Sequence, residues 1–426
     1  MPNLVQKYID REIFSDVLRH LEQPEITLIT GSRQVGKTVL LEQMKEHLIT
    51  QQGASASAIF NYNLDLIQDW QALQNQQDFI EFLKSRSQKQ KIYVLIDEAQ
   101  KVEEAARFFK GVYDSRLNAK LILTGSSSLE LKAKFKETLA GRKRVFQVTP
   151  FTFLEFLRTK DYFLSETLKN KERIVKLDEE KIIKFFKEYL IYGGYPRCVL
   201  AESPDEKQQI LKEIFSSYVE RDVVGWLEIK NKAAFTRLIK LLAAQIGQLV
   251  NINELALHCA IDRGTVERYL MALEETFIIK RIEPYFRNPR QEIIKRGKVY
   301  FMDVGMRNTV LENFETMNER LDKGQVLENA VCTELVYRAQ KTGGKVRFWR
   351  TKQKTEVDFV VERGGYLLPI EVKYSVKNRR VSSGLKNFMS KFHVPSGTVV
   401  TLEKDAREKQ IGDASIFFAY PYELQG

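Results

Sequence analysis

Gly31-Ser32-Arg33-Gln34-Val35-Gly36-Lys37-Thr38 matches the pattern G-x-x-x-x-G-K-[ST] at every fixed position. The flanks suit the motif. Ile26-Thr27-Leu28-Ile29-Thr30 is a short apolar, β-branched run that reads as a buried strand. Val39 to Lys45 reads as the opening of a helix. In a strand–loop–helix of this kind, loop N–H groups and the helix N-terminus form a cradle for anions. Lys37 would add a point charge for the β- and γ-phosphates, and Thr38 a hydroxyl for Mg²⁺. All eight residues are therefore candidate nucleotide-binding positions.

A second run works with the first. Ile92-Tyr93-Val94-Leu95-Ile96 reads as a buried strand and ends in Asp97 and Glu98. A carboxylate at the end of a neighbouring strand is where the Mg²⁺ of a bound nucleotide is held, which suits Asp97. Glu98 suits another task, polarising a water for attack on the γ-phosphate. Switch GTPases position that water with a glutamine, so the Asp-Glu pair favours ATP with Mg²⁺.

The 426 residues are enough for two or three domains. With 43% hydrophobic and 29% charged residues, the composition is that of an ordinary globular protein. No apolar stretch approaches the roughly 20 residues of a membrane helix, so no membrane partner is expected. The first twelve residues lack a secretory apolar core, which points to the cytoplasm. Cys198, Cys259 and Cys332 are too dispersed to frame disulfides or a zinc site. The net charge of +11 is uneven. From Phe286 onward 25 Lys and Arg face 17 Asp and Glu, a net of +8. That excess in the last third is compatible with a polyanion such as DNA or RNA.

Along the chain, residues 1–24 are expected to form an amphipathic helix, with Leu4, Tyr8, Phe14, Val17, Leu18 and Leu21 on its apolar stripe. Strands then alternate with helices to about residue 150, the mark of a parallel sheet covered on both faces. Residues 151–227 read as helical, interrupted by Gly193-Gly194-Tyr195-Pro196, a signal of special backbone shape. Residues 228–285 read as a winged-helix-like unit, three helices followed by a strand from Phe277 to Ile282. Its third helix carries Glu267 and Glu274 beside Arg263 and Arg268, which leaves a DNA reading and a structural or protein-contact reading both open.

Residues 286–426 hold a second constellation. A helix from Gly324 to Gln340 precedes the strands Val346–Arg350, Glu356–Val361 and Tyr366–Lys373. Asp358 and Glu371 fall on adjacent strands, and Glu371 and Lys373, two apart, share a face. Two carboxylates and a lysine so arranged could hold one or two Mg²⁺ ions and orient a water for phosphodiester attack. Glu328 on the preceding helix could complete an oxygen ligand set. Downstream, Lys377, Arg379, Arg380, Lys386 and Lys391 could follow a line of phosphates.

With these residues in view, the chain resembles the prokaryotic AAA-type ATPases that carry a C-terminal DUF4143 domain. The resemblance rests on Gly31–Thr38, Ile96-Asp97-Glu98-Ala99-Gln100, Leu123-Thr124-Gly125-Ser126-Ser127 and Leu139-Ala140-Gly141-Arg142. It rests also on Gly193–Pro196, Tyr218 to Asp222, Glu356-Val357-Asp358 and Glu371-Val372-Lys373. It implies an α/β fold: a P-loop NTPase parallel sheet of AAA+/ASCE type, with a helical lid, a winged-helix-like unit and a C-terminal restriction-endonuclease-like domain. It further implies Ser126 or Thr124 as a polar sensor between the two carboxylates, and Arg142 as a phosphate-sensing or finger arginine, which in rings acts across a homo-oligomer. Gly194 and Pro196 are implied to touch the adenine. The C-terminal part is similar to PD-(D/E)xK nucleases, with Asp358, Glu371 and Lys373 in matching places and Val357 where a proline often stands. Two functions follow: an ATPase whose cycle controls a nucleic-acid-acting domain, or an ATP-gated DNA- or protein-binding switch whose nuclease-like domain is inactive.

Overall fold

Five strands, β1 (Ile26–Gly31), β2 (Ile59–Asn63), β3 (Ile92–Asp97), β4 (Ala119–Ser126) and β5 (Lys143–Val148), form an all-parallel sheet in the order β2-β3-β4-β1-β5 in the computed structural model. Residues 8–126, 139–218, 229, 231–286, 297–376, 380–403 and 408–424 are described. Every residue of β1 and β3 is buried, as strands covered on both faces require, which is why they read as unbroken apolar runs. The helix Gln76–Ser87 starts at Asn75, whose side chain accepts the N–H groups of Gln77 and Asp78. The helix Ala105–Asp114 turns Phe108, Phe109 and Val112 onto a core that contains Val94, Ile96, Leu121 and Leu123.

The chain divides into two compact units, the first made mainly of Met1–Pro150, the second of Phe151–Ser216, Glu228–Glu274 and Ile278–Gly426. One expectation in the first unit needs correction. Residues 8–24 do not form one long helix: only Phe14–Arg19 is α-helical, followed by a 3-10 turn at His20–Glu22. The backbone before Phe14 is committed elsewhere, with the Ile9 carbonyl accepting the Gln43 side chain at 3.3 Å.

The second unit opens with the helices Phe153–Lys160, Tyr162–Lys169 and Lys176–Tyr192. A reciprocal cap between Thr152 and Glu155 starts the first of them. The helices Lys232–Ala244, Ile252–Cys259 and Arg263–Glu275 lead into β6 (Ile279–Pro284), which pairs antiparallel with β7 (Lys298–Phe301). Then come β8 (Lys345–Arg350), β9 (Glu356–Arg363), β10 (Tyr366–Lys373), β11 (Ser396–Thr401), β12 (Glu408–Ile411) and β13 (Ala414–Ala419). They join one mixed sheet in the order β12-β13-β11-β10-β9-β8-β6-β7. Strands β8, β9 and β10 form an antiparallel meander, and β11 runs parallel to β10. The helix Lys323–Thr342 precedes the meander and Ser383–Phe392 connects β10 to β11. Among the described residues no helix is long and apolar enough to cross a membrane. Lys377, Arg379 and the stretch from Val219 to Asp222 lie outside the described residues.

Candidate nucleotide site and a second carboxylate cluster

The phosphate loop leaves the carboxyl end of β1, the edge of an open α/β sheet where ligands bind. Gly31 is required by close approach: a Cβ there would stand 2.2 Å from the Val148 carbonyl oxygen of β5. The loop runs into the helix Lys37–Thr50, whose first-turn N–H groups have no intrahelical acceptors. Lys37, only 6% exposed, donates to the carbonyls of Gly31 at 3.1 Å and Ser32 at 2.9 Å. Thr38 Oγ1 donates to Asp97 Oδ2 at 2.6 Å. The Thr124 hydroxyl donates to the other Asp97 oxygen and accepts the Glu98 N–H at 3.2 Å. Thr124 thus lies between the two acidic residues, whereas Ser126 pairs through its backbone with Gly31. Glu98 has a left-handed backbone, φ 56°, and its carboxylate accepts the Gln100 amide.

Mg²⁺ fits this arrangement. Thr38 and Asp97 bring two oxygen donors together beside the loop, the ligand type this hard cation takes.

Sequence reasoning missed Arg11. It is 8% exposed, and its guanidinium donates to the Val35 carbonyl at 2.8 Å and to the Thr149 carbonyl at 2.6 Å. One side chain therefore ties the phosphate loop to the end of β5. Hydrogen bonds from a charged group contribute about 1.5–3 kcal/mol each. Arg11→Ala should weaken nucleotide binding by about tenfold or more, with Arg11→Lys recovering part of it, measured by titration with a fluorescent ATP analogue.

Arg142 is at the other end of the sheet. Its carbonyl accepts the N–H of Ile26, the first residue of β1, at 2.8 Å. The six residues of β1 separate that point from Gly31, roughly 17 Å at about 3.3 Å per residue. Its guanidinium pairs with Asp114 at 2.8 Å. The expectation of phosphate sensing within the same chain is thereby corrected, because strand direction carries Arg142 away from its own loop.

Gly194 and Pro196 belong to the second unit. The Gly194 N–H donates to Asp303 Oδ2 at 2.7 Å, and its carbonyl accepts the Phe151 N–H at 2.7 Å. A Cβ on Gly194 would stand 2.2 Å from the Phe151 carbonyl oxygen. Pro196 opens the short helix Pro196–Leu200. Packing inside the unit accounts for the shape of this segment without a nucleotide. Asp303, also missed in the sequence, caps the helix Val304–Leu311 through the Met306 N–H at 2.9 Å. Burial pushes its pKa up to about 6 against the pull of three backbone N–H donors.

In the second cluster, Asp358 Oδ2 on β9 accepts the Val372 N–H of β10 at 2.8 Å, and Lys373 Nζ stands 3.1 Å from Glu371 Oε1. Glu371 is 5% exposed, and its Oε2 has no hydrogen-bond partner among the described residues. Burial first, and then the charge of Glu328, raise the Asp358 pKa well above the ordinary aspartate value. Asp358, Glu371 and Lys373 thus meet across one strand pair as expected. Glu328 does not complete a ligand set. Its Oε1 accepts the Tyr300 hydroxyl at 2.6 Å and lies 3.5 Å from Lys298 Nζ. Among the described residues no group of three or more His, Cys, Asp or Glu side chains is placed to hold a metal. The expected three-carboxylate site of Glu328, Asp358 and Glu371 is corrected to a pair of carboxylates with a lysine.

A parallel sheet of this order, with the phosphate loop after β1 and a carboxylate at the end of β3, defines a P-loop nucleotide-binding protein. Comparison with known families agrees. Residues 23–157 match an AAA domain, 183–316 a domain of unknown function (DUF8612) and 323–423 a domain of unknown function (DUF4143). The chain thus has the arrangement of an AAA domain followed by a C-terminal DUF4143 domain. It is 28% identical over 376 residues to an uncharacterised protein of Haemophilus influenzae, covering 86% of this chain and 87% of that one. It is 25% identical over 367 residues to an uncharacterised protein of Mycobacterium tuberculosis, covering 85% and 73%. Among solved structures it is similar to the Aeropyrum pernix ORC1 protein in complex with DNA, with TM-score 0.33, 11% identity and coverage of 72% and 95%. Domain III of the Thermotoga maritima replication initiation protein DnaA gives TM-score 0.31, 12% identity and coverage of 51% and 89%.

Proposed function

We propose that this chain hydrolyses ATP with Mg²⁺ and that its nucleotide cycle governs a C-terminal domain acting on nucleic acid. The observation that carries the first part is the hydrogen-bonded series Thr38–Asp97–Thr124, which sets the Glu98 backbone beside the phosphate loop. Loop amides and Lys37 would bind the phosphates. Thr38 and Asp97 would hold the Mg²⁺, which neutralises charge on the β- and γ-phosphates when bound. Thr124 would fix the Asp97 carboxylate and the start of the Glu98 turn. Glu98 would orient a water and take its proton. Arg142, remote from its own loop, would serve a neighbouring copy in a homo-oligomer.

Lys37→Ala tests the foundation. ATP affinity should fall by at least tenfold in equilibrium dialysis, since the buried ammonium next to the loop is removed. Unchanged affinity would remove the nucleotide site from Gly31–Thr38.

For the C-terminal domain, Asp358, Glu371 and Lys373 support phosphodiester cleavage with a single divalent ion, which commonly takes one or two carboxylates and completes its shell with water and phosphate. The engagement of Glu328 by Tyr300 and Lys298 favours a second reading, a domain that binds nucleic acid or protein without cutting. Incubation of parent and Asp358→Ala with duplex, branched and single-stranded DNA and RNA separates them. Cleavage lost in the variant, with ATP turnover intact, supports the nuclease. No cleavage by the parent supports the switch.

A further inference from the structure

Lys298 belongs to the second unit. It sits on β7, and its side chain is 2% exposed. Its ammonium forms an ion pair with Glu356 and lies 3.5 Å from Glu328 Oε1. The aliphatic stem carries Nζ to 5.4 Å from the centre of the Phe348 ring. Tyr300, two residues on and on the same face of β7, fixes the same Glu328 oxygen by its hydroxyl at 2.6 Å. The other Glu356 oxygen takes Arg350 at 3.0 Å. A buried ammonium is held only where charge partners offset its desolvation. Here Glu328 and Glu356 supply that charge, and Asp358 adds to it.

We infer that Lys298 is a built-in cation that takes the place of a metal ion at the Glu328 corner of the β7–β9–β10 cluster. A divalent ion bound there would need the Glu328 and Glu356 oxygens that Lys298 already holds, and it would stand against a second positive charge in a buried site. The remaining corner, Asp358 with Glu371, is a separate matter, because the Glu371 Oε2 oxygen has no hydrogen-bond partner among the described residues. The cluster therefore takes at most one divalent cation, and Glu328 is not among its ligands. This deepens the nuclease-like reading of the cluster, but does not require that the domain cut anything.

Mn²⁺ titration of the full chain tests it, by calorimetry and by loss of the free Mn²⁺ paramagnetic resonance signal. Nucleotide-free Lys37→Ala, Thr38→Ala protein serves as background, so that the phosphate-loop site is silent. Expected is zero or one bound ion, unchanged by Glu328→Gln. Lys298→Met keeps the stem against Phe348 while removing the charge. It should gain one ion, lost again when Glu328→Gln is added. Loss of the background protein's ion on Glu328→Gln alone overturns the inference. So does a Lys298→Met protein, folded by circular dichroism, that binds no additional Mn²⁺. Should Lys298→Met not fold, Lys298→Gln, which also removes the charge but keeps a polar head between the two carboxylates, takes its place with the same expected and overturning outcomes. A stoichiometry of zero with the expected gain in Lys298→Met keeps the role of Lys298 and removes single-metal cleavage instead.

Discussion

Glu98→Gln should bind ATP as tightly as the parent and hydrolyse it about 10²–10⁴ times more slowly, the usual contribution of a positioned general base. The substitution preserves volume and leaves the rest of the site alone. Thr38, Asp97 and Thr124 keep their mutual hydrogen bonds, and the Glu98 N–H still finds the Thr124 hydroxyl. What is lost is an oxygen able to accept a proton as the water attacks. Single-turnover hydrolysis with excess protein measures the chemical step, and titration with a non-hydrolysable analogue measures binding. Turnover within about fivefold of the parent would assign the water to another group. A parallel fall in affinity would mean that Glu98 supports the fold of the loop rather than the reaction.

The parts of this site that were legible in the sequence are those whose geometry is local. Eight consecutive residues set the phosphate loop, and an apolar run ending in two acids marked β3. Thr124 and Ser126 could not be told apart, because residues two apart on a strand share a face. The bonds of Thr124 to Asp97 and Glu98 place its hydroxyl between the two acids. Arg142 was marked by its match to a family position, but a short motif does not carry the direction in which its strand will run. Arg11 left no readable signal. Its partners are 24 and 138 residues away, and a single arginine in an amphipathic stretch looks like any solvated charge. Lys298 was hidden for the same reason, since its carboxylates come from a later helix and a later strand. Glu328 could be placed on the inward side of its helix, but the lysine and tyrosine that hold it could not. Side chains that neutralise one another across a fold obey no period along the chain, so pattern reading passes over them.

Asp303 also acts across the fold, through the Gly194 N–H that lies 109 residues away, and its replacement should be severe. In Asp303→Ala the Gly194 and Met306 N–H groups lose their side-chain acceptor, and an unsatisfied buried donor costs about 1–3 kcal/mol. A destabilisation of about 2–5 kcal/mol is expected in the second unit, read as a lower denaturation midpoint. Asp303→Asn keeps one acceptor oxygen and should lose less. The pair also carries a pH signature. Burial raises the folded-state pKa of Asp303 to about 6, whereas the unfolded chain releases this proton near the ordinary aspartate value of about 3.9. A raised carboxyl pKa gives a stability contribution that is fully present below the unfolded value and is lost as pH climbs through the folded one. Relative to Asp303→Asn, the parent should therefore lose stability between about pH 4 and pH 6, by an amount on the order of 2–3 kcal/mol, and change little above pH 7. Urea denaturation of both proteins at pH 4.5, 5.5 and 7, with the midpoints compared pairwise, isolates this group from every other titration they share. A difference that stays flat across the range would mean that the backbone donors hold Asp303 ionised throughout and outweigh its burial.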